Sequence, residues 1–173
     1  MKEIKTERLF LRAFKESDYD DLFEYLSQLE NDEFEGYPGI TYENGKEHLK
    51  YRIDSKEFYA IELSETGKVI GNIYCGKRDF DTREAGYILN KSYQHSGYAS
   101  EALTAVIENA FEEGANRVHA ECDPRNTPSW KLLEKVGLKR EAHFKQNILF
   151  LKDESGKPIW KDTYVYAITE GDW

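Results

Sequence analysis

The segment Gln94-His95-Ser96-Gly97-Tyr98-Ala99 holds the residues whose types and order point most directly to chemistry. It follows a predicted strand and precedes a predicted helix, and Gly97 lets the backbone approach a ligand closely. Backbone N–H groups at such a helix start form a concave anion site, which the helix dipole reinforces. The segment therefore predicts a pyrophosphate site. The alternative is that Gly97 only forms a turn ahead of the helix.

The elements on either side of this segment would hold it in place. The helix predicted from Tyr98 to Glu113 has the clearest pattern in the chain, with small and apolar side chains on one face and polar ones on the other. Glu84–Leu89 before it and Val118–Cys122 after it both have strand character. Together they predict a strand, a crossover helix and a parallel strand.

The residues upstream predict strands that lead into this unit. Glu57–Leu63 and Lys68–Lys77 are two strand-like runs joined by a four-residue turn, and a second turn leads into Glu84–Leu89 as a three-stranded antiparallel meander. Further upstream, Glu7–Phe14 alternates as a half-buried strand does.

Two helices are predicted between the first strand and the meander. Ser17 and Asp20 form a capping-box pattern ahead of the first helix, which is expected to end before Gly36. Thr41 is expected to cap the second and shorter helix. The segment between them reads as a loop.

The downstream residues complete a single predicted domain. Thr127-Pro128 opens a helix that Gly137 closes, and Leu138–Leu151 and Pro158–Ile168 flank a turn as a long terminal hairpin. With no repeat or linker in the sequence, residues 1–173 are expected to form one mixed α/β domain with a largely antiparallel sheet.

Composition narrows the class of protein further. A net charge of −9 at pH 7 opposes attraction to nucleic-acid backbones, so no nucleic-acid partner is expected. The chain has no apolar run near the ~18 residues that a bilayer crossing needs and no signal-peptide pattern, so it is expected to be cytoplasmic without membrane association. Cys75 and Cys122 stand far apart, and the four histidines lack ligand spacing, so no metal is expected.

Several segments together resemble the GNAT superfamily of N-acetyltransferases. Gln94, Gly97 and Ala99 match its Gln/Arg-x-x-Gly-x-Gly/Ala pyrophosphate signature. Four further segments are similar to the branch that includes the ribosomal-protein N-terminal alanine acetyltransferases: Thr6-Glu7-Arg8-Leu9-Phe10-Leu11-Arg12, Glu84-Ala85-Gly86-Tyr87-Ile88-Leu89, Tyr98-Ala99-Ser100-Glu101-Ala102, and Asn126-Thr127-Pro128-Ser129 with Glu134-Lys135-Val136-Gly137-Leu138. The resemblance implies a GNAT-like sheet with a central splayed parallel strand pair and flanking helices.

The resemblance also implies acetyl-CoA as co-substrate and coenzyme A as product. The pantetheine arm would lie along backbone groups near Ile88 and Leu89. The pyrophosphate would rest on the helix start, and its binding residues would be Gln94, His95, Ser96, Gly97, Tyr98, Ala99 and Ser100. Asn126 would contact the arm, although on its own an asparagine there is equally a helix cap.

Acetyl transfer to an amine needs a base for the ammonium proton and an acid for the departing thiolate. Glu84, the glutamate of the family's Glu-x-Gly-Tyr pattern, is the implied base, directly or through water; otherwise it is an exposed acid at a hairpin end. Many members have a tyrosine acid where this chain has Leu133. Ser129 occupies the place of a serine in the resembling branch and would assist the thiolate, or else it only satisfies backbone groups in the first helical turn.

The acceptor is left open between a protein N-terminus and a small amine. Carboxylates of Glu62, Glu121 and Asp162 are expected along its site, with aromatic walls and a specificity loop over residues 32–40. The aromatic candidates are Tyr37, Tyr74, Tyr87 and Trp160. A homodimer is possible, as in many family members. The alternative function is a non-catalytic acetyl-CoA-binding sensor or interaction module.

Overall fold

The structure is a computed structural model that describes residues 1–30, 32–34 and 39–173, apart from the side chain of Leu151. Within these residues lie eight strands and four α-helices. The strands are β1 (Ile4–Lys5), β2 (Leu9–Ala13), β3 (Phe58–Leu63), β4 (Val69–Arg78), β5 (Thr82–Leu89), β6 (Arg117–Cys122), β7 (Lys139–Lys152) and β8 (Pro158–Thr169). The helices are α1 (Tyr19–Ser27), α2 (Gly45–Ser55), α3 (Tyr98–Glu112) and α4 (Thr127–Lys135).

All eight strands join one mixed sheet in the order β1-β2-β3-β4-β5-β6-β8-β7. The antiparallel meander β3-β4-β5 and the terminal hairpin β7-β8 are present as predicted. The β5 and β6 strands are parallel and are connected through α3, so the predicted crossover unit is also confirmed.

The parallel pair parts soon after it forms. Its ladder runs through three pairs and ends at Glu84 opposite His119. Beyond that point β5 continues along β4, whereas β6 continues along β8 as far as Cys122 opposite Tyr164. A gap therefore opens in the middle of the sheet, as the predicted splayed pair requires.

Helices cover both faces of the sheet. On one face Leu103 and Ile107 of α3 are fully buried in a cluster with Ile70 and Ile73 of β4. On the other face α1 and α2 pack over a second cluster that includes Leu26. Each fully buried aliphatic side chain stabilises the fold by about 1.5–3 kcal/mol relative to exposure. Among the described residues, no helix has the length and apolar character needed to cross a bilayer.

The starts of the first two helices differ from the sequence-based expectation. Asp18, rather than a Ser17–Asp20 box, organises the start of α1, because its carboxylate accepts the Lys15 N–H at 2.8 Å and binds the buried Arg12 guanidinium. Thr41 Oγ1 accepts the Asn44 N–H at 3.2 Å and so closes a turn ahead of α2, which begins only at Gly45.

The first helix ends before Gly36, as predicted. It ends at Ser27, where the Leu29 N–H turns back to the Leu26 carbonyl at 3.0 Å. Most of the predicted loop at 35–39 lies outside the described residues.

Candidate active site

A cavity of about 260 Å³ lies where β5 and β6 part. Ala85, Gly86 and Tyr87 of β5 form one wall, and residues 120–122 of β6 form the facing wall. The start of α4 and the β7-β8 hairpin contribute the remaining sides. The gap in the sheet is thus an open site bordered by strand backbone.

The residues predicted to form the anion site lie at the start of α3. Gly97 has φ 84° and precedes the helix without a side-chain cap. The first helical hydrogen bond runs from the Glu101 N–H to the Gly97 carbonyl at 3.0 Å. The N–H groups of residues 98–100 therefore precede the helical ladder and have no carbonyl within the helix to bind. Their common direction suits an anionic group.

Side chains tie this loop to the end of β5. The Gln94 amide donates to the Leu89 carbonyl at 3.2 Å, and Ser100 Oγ donates to the Gly97 carbonyl at 2.9 Å. His95 has φ 60° and an exposed side chain. The fold therefore brings the predicted pyrophosphate residues together with Leu89, one of the two residues expected to hold the pantetheine arm.

Arg8 belongs to this loop as well, although the sequence analysis assigned it no role. Its guanidinium donates to the Ser96 carbonyl at 3.0 Å and to Glu101 Oε2 at 2.7 Å, and it lies 4.4 Å from the centre of the Tyr98 ring. Arg8 and Glu101 are 93 residues apart in sequence. Both lie in segments that resemble the family, which was the available signal.

Glu101 anchors the other side of that contact. It accepts hydrogen bonds from Thr6 Oγ1 at 2.6 Å and from the Arg8 backbone N–H at 2.9 Å. Burial alone would raise the pKa of Glu101, but the hydrogen bonds from Thr6 and Arg8 lower it below its usual range. Glu101 is therefore a carboxylate at neutral pH, which holds Arg8 against the loop.

The start of α4 lies at the cavity. Asn126 lines the cavity, and its side chain accepts the Ser129 N–H at 3.3 Å, so it also caps the helix. The Tyr87 hydroxyl is 2.9 Å from Ser129 Oγ and 2.9 Å from the Ser129 carbonyl oxygen. Tyr87 and Ser129 together place two hydroxyl groups on the cavity wall.

Cys122 is the thiol closest to this pair in the fold. It lines the cavity, and burial raises its pKa to about 11, while a hydrogen bond with the Ser129 side chain acts in the opposite direction. A thiol with that pKa is almost wholly protonated at neutral pH. Cys122 is therefore not an activated nucleophile.

Glu84 lies at the last parallel pair, directly before Ala85 on the cavity wall. Its carboxylate pairs with Arg78 at 2.6 Å, and Arg78 also donates to the Tyr74 hydroxyl at 2.6 Å. Among the described residues that line the cavity, Glu84 is absent. Glu84, the predicted general base, thus lies where the gap begins and is ion-paired with Arg78, whereas Ser129 lies within the gap.

The residues predicted for the acceptor side fall into two groups. Glu121, Asp162 and Tyr87 line the cavity. Glu62 instead pairs with the buried Arg12, and Trp160 lines a neighbouring groove. Tyr74 binds Arg78, and Tyr37 lies outside the described residues.

The β7-β8 hairpin contributes charged groups to the cavity. Asp162 accepts the Gln146 N–H at 2.9 Å, the Lys145 ammonium at 2.9 Å and a hydrogen bond with His143 at 2.8 Å, and these contacts lower its pKa. Lys161 also lines the cavity. The sequence analysis missed Lys161, because a lysine in an alternating strand normally reads as solvent-exposed.

Phe34 and Arg125 close the cavity toward the segment after α1. Phe34 lines the cavity, and the Arg125 guanidinium lies 5.7 Å from the centre of its ring. Arg125 also pairs with Glu33 at 3.2 Å. The predicted specificity loop therefore reaches the cavity through Phe34, one of its described residues. No group of three or more potential metal ligands occurs in the part of the chain that the structure describes.

The fold and the site together define an enzyme that takes an acyl group from a thioester cofactor. Residues 8–139 match the acetyltransferase (GNAT) domain, and the chain belongs to this family of acetyl-CoA-dependent acyltransferases. The family predicted from the sequence is therefore confirmed.

Individual relatives agree with this assignment. The chain is 35% identical to the N-acetyltransferase YnaD of Bacillus subtilis (strain 168), and the match covers 98% of both chains. A GNAT-family acetyltransferase from Bacillus anthracis superposes with a TM-score of 0.88 at 31% identity, over 98% of this chain and 99% of the other. The fold is also similar, with a TM-score of 0.82 at 20% identity over 97% and 98% of the two chains, to a ribosomal L7/L12 α-N-protein acetyltransferase in complex with coenzyme A.

Proposed function

We propose that the protein transfers the acetyl group of acetyl-CoA to a primary amine by direct attack within a ternary complex. The observation that carries this proposal is the continuity of the site. The N–H groups of residues 98–100 would form an anion site, here called the anion nest, close to the end of β5. From there β5 borders the gap as far as the Tyr87–Ser129 pair. A long cofactor with a charged end and a reactive thioester end matches that arrangement.

The donor half of the proposal rests on backbone groups. The N–H groups at residues 98–100 would bind the pyrophosphate, with Gln94, His95, Ser96, Gly97, Tyr98, Ala99 and Ser100 around it. Ile88 and Leu89 pair with β4 on one side, while the ladder with β6 ends at Glu84. The pantetheine arm would take the place of the missing neighbour strand along β5, with Asn126 across the gap.

The catalytic half assigns one role to each of two predicted residues. Glu84 would take the proton of the attacking ammonium, directly or through water, and its ion pair with Arg78 supports an ionised carboxylate. Ser129 would donate a hydrogen bond to the departing coenzyme A thiolate, and its contact with Tyr87 supports this because the second hydroxyl orients it.

Direct attack is preferred over an acetyl-cysteine intermediate. Burial raises the pKa of both Cys75 and Cys122 to about 11. A covalent route needs a thiolate, which neither residue supplies at neutral pH. A single site that holds donor and acceptor together avoids that requirement.

Two acceptor classes fit the site, a protein N-terminus and a small amine. The relative in complex with coenzyme A is described as acting on the α-amino group of ribosomal L7/L12, which supports the first class through shared fold. The carboxylates of Glu121 and Asp162 on the cavity wall suit the cationic ammonium of either class. A panel of peptides and small amines separates the two, because only an N-terminal enzyme responds to the residues after the free amine.

A non-catalytic acetyl-CoA sensor is the alternative, and Leu133 is the residue that favours it. Leu133 is buried in the core, so the place of the family's usual tyrosine offers no hydroxyl. Thiol release with any amine excludes the sensor, whereas tight acetyl-CoA binding without turnover across the panel supports it. We also propose that residues 1–173 act as one domain, since the single sheet includes residues from Ile4 to Thr169.

Calorimetric titration with acetyl-CoA tests the cofactor binding on which the whole proposal depends. Gly97→Asp is expected to weaken binding at least about tenfold, because it puts a carboxylate and a strained φ into the anion nest. Gly114→Asp is the matched control: Gly114 also has positive φ, 86°, but follows the far end of α3 with open space around it. Folded wild-type protein that fails to bind acetyl-CoA would overturn the proposal.

A further inference from the structure

Lys161 is a buried lysine whose ammonium has no hydrogen-bond partner among the described residues. Its exposed fraction is 7%, and it lines the cavity between β5 and β6. A buried ammonium without a partner is costly, and such groups are normally paired. The described residues therefore supply no hydrogen-bond partner for Lys161 at the point where an acceptor would bind.

The surroundings of Lys161 do not supply that partner. The Phe150 ring centre lies 5.5 Å from its ammonium, a favourable contact that offers no acceptor oxygen. Asp123, the nearby carboxylate with which it interacts electrostatically, is held by Arg125 at 2.7 Å. Asp162 already accepts from Lys145, His143 and Gln146.

We infer that Lys161 donates to an oxygen that the acceptor carries beside its amine, so that the enzyme selects α-amino carbonyl compounds over plain alkylamines and polyamines. This inference rests on the proposed acetyl transfer. An amine that attacks near Tyr87 and Ser129 shares a cavity of about 260 Å³ with Lys161. The amine and the oxygen recognised by Lys161 must therefore be close together in the same molecule, as they are in an amino acid or at a peptide N-terminus.

The position of Lys161 assigns it to the acceptor rather than to the donor. It belongs to β8, whereas the residues proposed for acetyl-CoA belong to β5, the α3 start and the α4 start. Trp160 and Asp162, its neighbours in β8, line the groove beside the cavity together with Lys161. The two openings are contiguous through shared residues, which gives an acceptor longer than one residue a path outward.

The test compares two amines of one carbon skeleton, alaninamide and isopropylamine, in which a carboxamide group of the first replaces a methyl group of the second. Free alanine and an alanine-initiated peptide are added to distinguish a carboxylate from a peptide carbonyl, and putrescine represents polyamines. Because the amines differ in basicity, the informative quantity is how their kcat/KM ratio changes between variants. The variants are Lys161→Met, which keeps length without charge, and Lys145→Met, a control on the same hairpin with a 70% exposed lysine.

Lys161→Met is expected to raise the KM for alaninamide at least about tenfold, which is the loss of one charged hydrogen bond of about 1.4 kcal/mol. Isopropylamine kinetics and the KM for acetyl-CoA are expected to stay unchanged, and Lys145→Met is expected to keep the wild-type ratio. Equal loss for both amines, or a raised KM for acetyl-CoA, would overturn the inference while leaving the transfer reaction intact. If normal acetyl-CoA binding leads to no transfer to any amine, the proposed function fails and the inference fails with it.

A direct measurement on the wild-type protein covers the case in which Lys161→Met does not fold. Thermal melting of each variant shows whether it folds. Wild-type enzyme that acetylates isopropylamine or putrescine as efficiently as alaninamide would contradict the inference without any variant. Lys161→Arg, which keeps the charge, is expected to retain part of the preference for alaninamide.

Discussion

The Tyr87 hydroxyl lies 2.9 Å from Ser129 Oγ and thereby joins the β5 wall of the cavity to the first turn of α4. Since the Tyr87 hydroxyl is also within 2.9 Å of the Ser129 carbonyl oxygen, its proton can go to either Ser129 oxygen, which leaves the Ser129 Oγ proton free for the thiolate. The pair places a phenol in the cavity, although position 133 carries leucine instead of the family's usual tyrosine. Tyr87 is thus a second candidate for the group that assists the thiolate.

Ser129→Ala and Tyr87→Phe are each expected to lower kcat at least about 100-fold, the lower end of the usual range for losing one positioned proton donor. Acetyl-CoA affinity should change little, because the proposed pyrophosphate site at the start of α3 lies elsewhere. The double variant should lose less than the product of the two single effects, since one hydrogen bond connects both residues. Steady-state kinetics with a thiol-release assay, together with calorimetry, measures all three variants.

Full activity in Ser129→Ala would remove the serine from catalysis. Multiplicative effects in the double variant would show that the two hydroxyls act independently. Ser155→Ala, on the exposed turn between β7 and β8, provides a matched control that should keep wild-type kinetics.

Glu84→Gln is expected to reduce kcat at neutral pH, because an amide cannot take the ammonium proton. The Kd for acetyl-CoA should stay nearly intact. Arg78→Gln, which removes the ion-pair partner of Glu84, is the informative companion. If Glu84 is the base, Arg78→Gln should keep most of the activity, because the carboxylate that takes the proton is still present.

Unchanged turnover in Glu84→Gln would exclude Glu84 as the base. In that case the ion pair with Arg78 would be a structural contact at the end of the β4-β5 hairpin. Melting curves separate these outcomes, since a structural role lowers Tm for both variants while turnover is kept.

Arg8→Gln and Glu101→Gln are expected to weaken acetyl-CoA binding about 3- to 10-fold. Both changes break the contact between Arg8 and Glu101 that holds the loop before α3. Acetyl-CoA must then order that loop itself, which reduces the binding free energy. Lys2→Gln is the control, because Lys2 also pairs with an acid of α3, Glu112 at 2.7 Å, near the other end of the helix. Calorimetry on the three variants gives the comparison.

Wild-type affinity in both Arg8→Gln and Glu101→Gln would mean that the loop holds its shape without them. Equal weakening in Lys2→Gln would indicate a general charge effect. Hydrogen exchange at residues 96–100 supplies a second readout, since a loosened loop exchanges faster even where affinity changes little.

The sequence predicted the elements best where side-chain periodicity reports burial. The bounds predicted for α3 and for the β3-β4-β5 meander were nearly correct, because α3 has one apolar face against the core and clear turn residues separate the strands. The helix starts near Ser17 and Thr41 were less accurate. The backbone there is set by a buried ion pair between Asp18 and Arg12 and by a turn that Thr41 closes. Neither contact follows from the local pattern of apolar residues.

The residues of the candidate site also divide into those that the sequence predicted and those that it did not. The residues at 94–100, Asn126 and Ser129 lie in contiguous motifs and were therefore predicted from the sequence. Arg8 and Lys161 were not predicted. The interest of Arg8 comes from a partner that folding brings close, and that of Lys161 from a partner that the described residues do not supply. Arg8 meets Glu101 only through the fold, and Lys161 is notable only for being buried without a partner.

The two cysteines give a prediction about pH. Burial raises the pKa of Cys75 and of Cys122 to about 11, above the ordinary value near 8.5. A raised pKa means less thiolate at pH 8, so iodoacetamide should alkylate the folded protein about 100-fold more slowly than the unfolded chain. The rate should keep rising about tenfold per pH unit from pH 7 to pH 9, as expected for a thiol that titrates far above this range.

The raised pKa of the two cysteines also affects the free energy of unfolding, which should fall as pH rises. The folded state favours the neutral thiols, so their contribution is fully present below the unfolded pKa near 8.5 and is lost as pH rises toward 11. Replacing both cysteines by alanine should therefore flatten the decline in stability above pH 9, as measured by urea unfolding at several pH values. Acetyl-CoA should slow alkylation of Cys122, which lines the cavity, in a Cys75→Ala background. Fast alkylation that levels off near pH 8.5 would show that the thiols are not buried as described, and lack of protection by acetyl-CoA would place the cofactor outside the gap between β5 and β6.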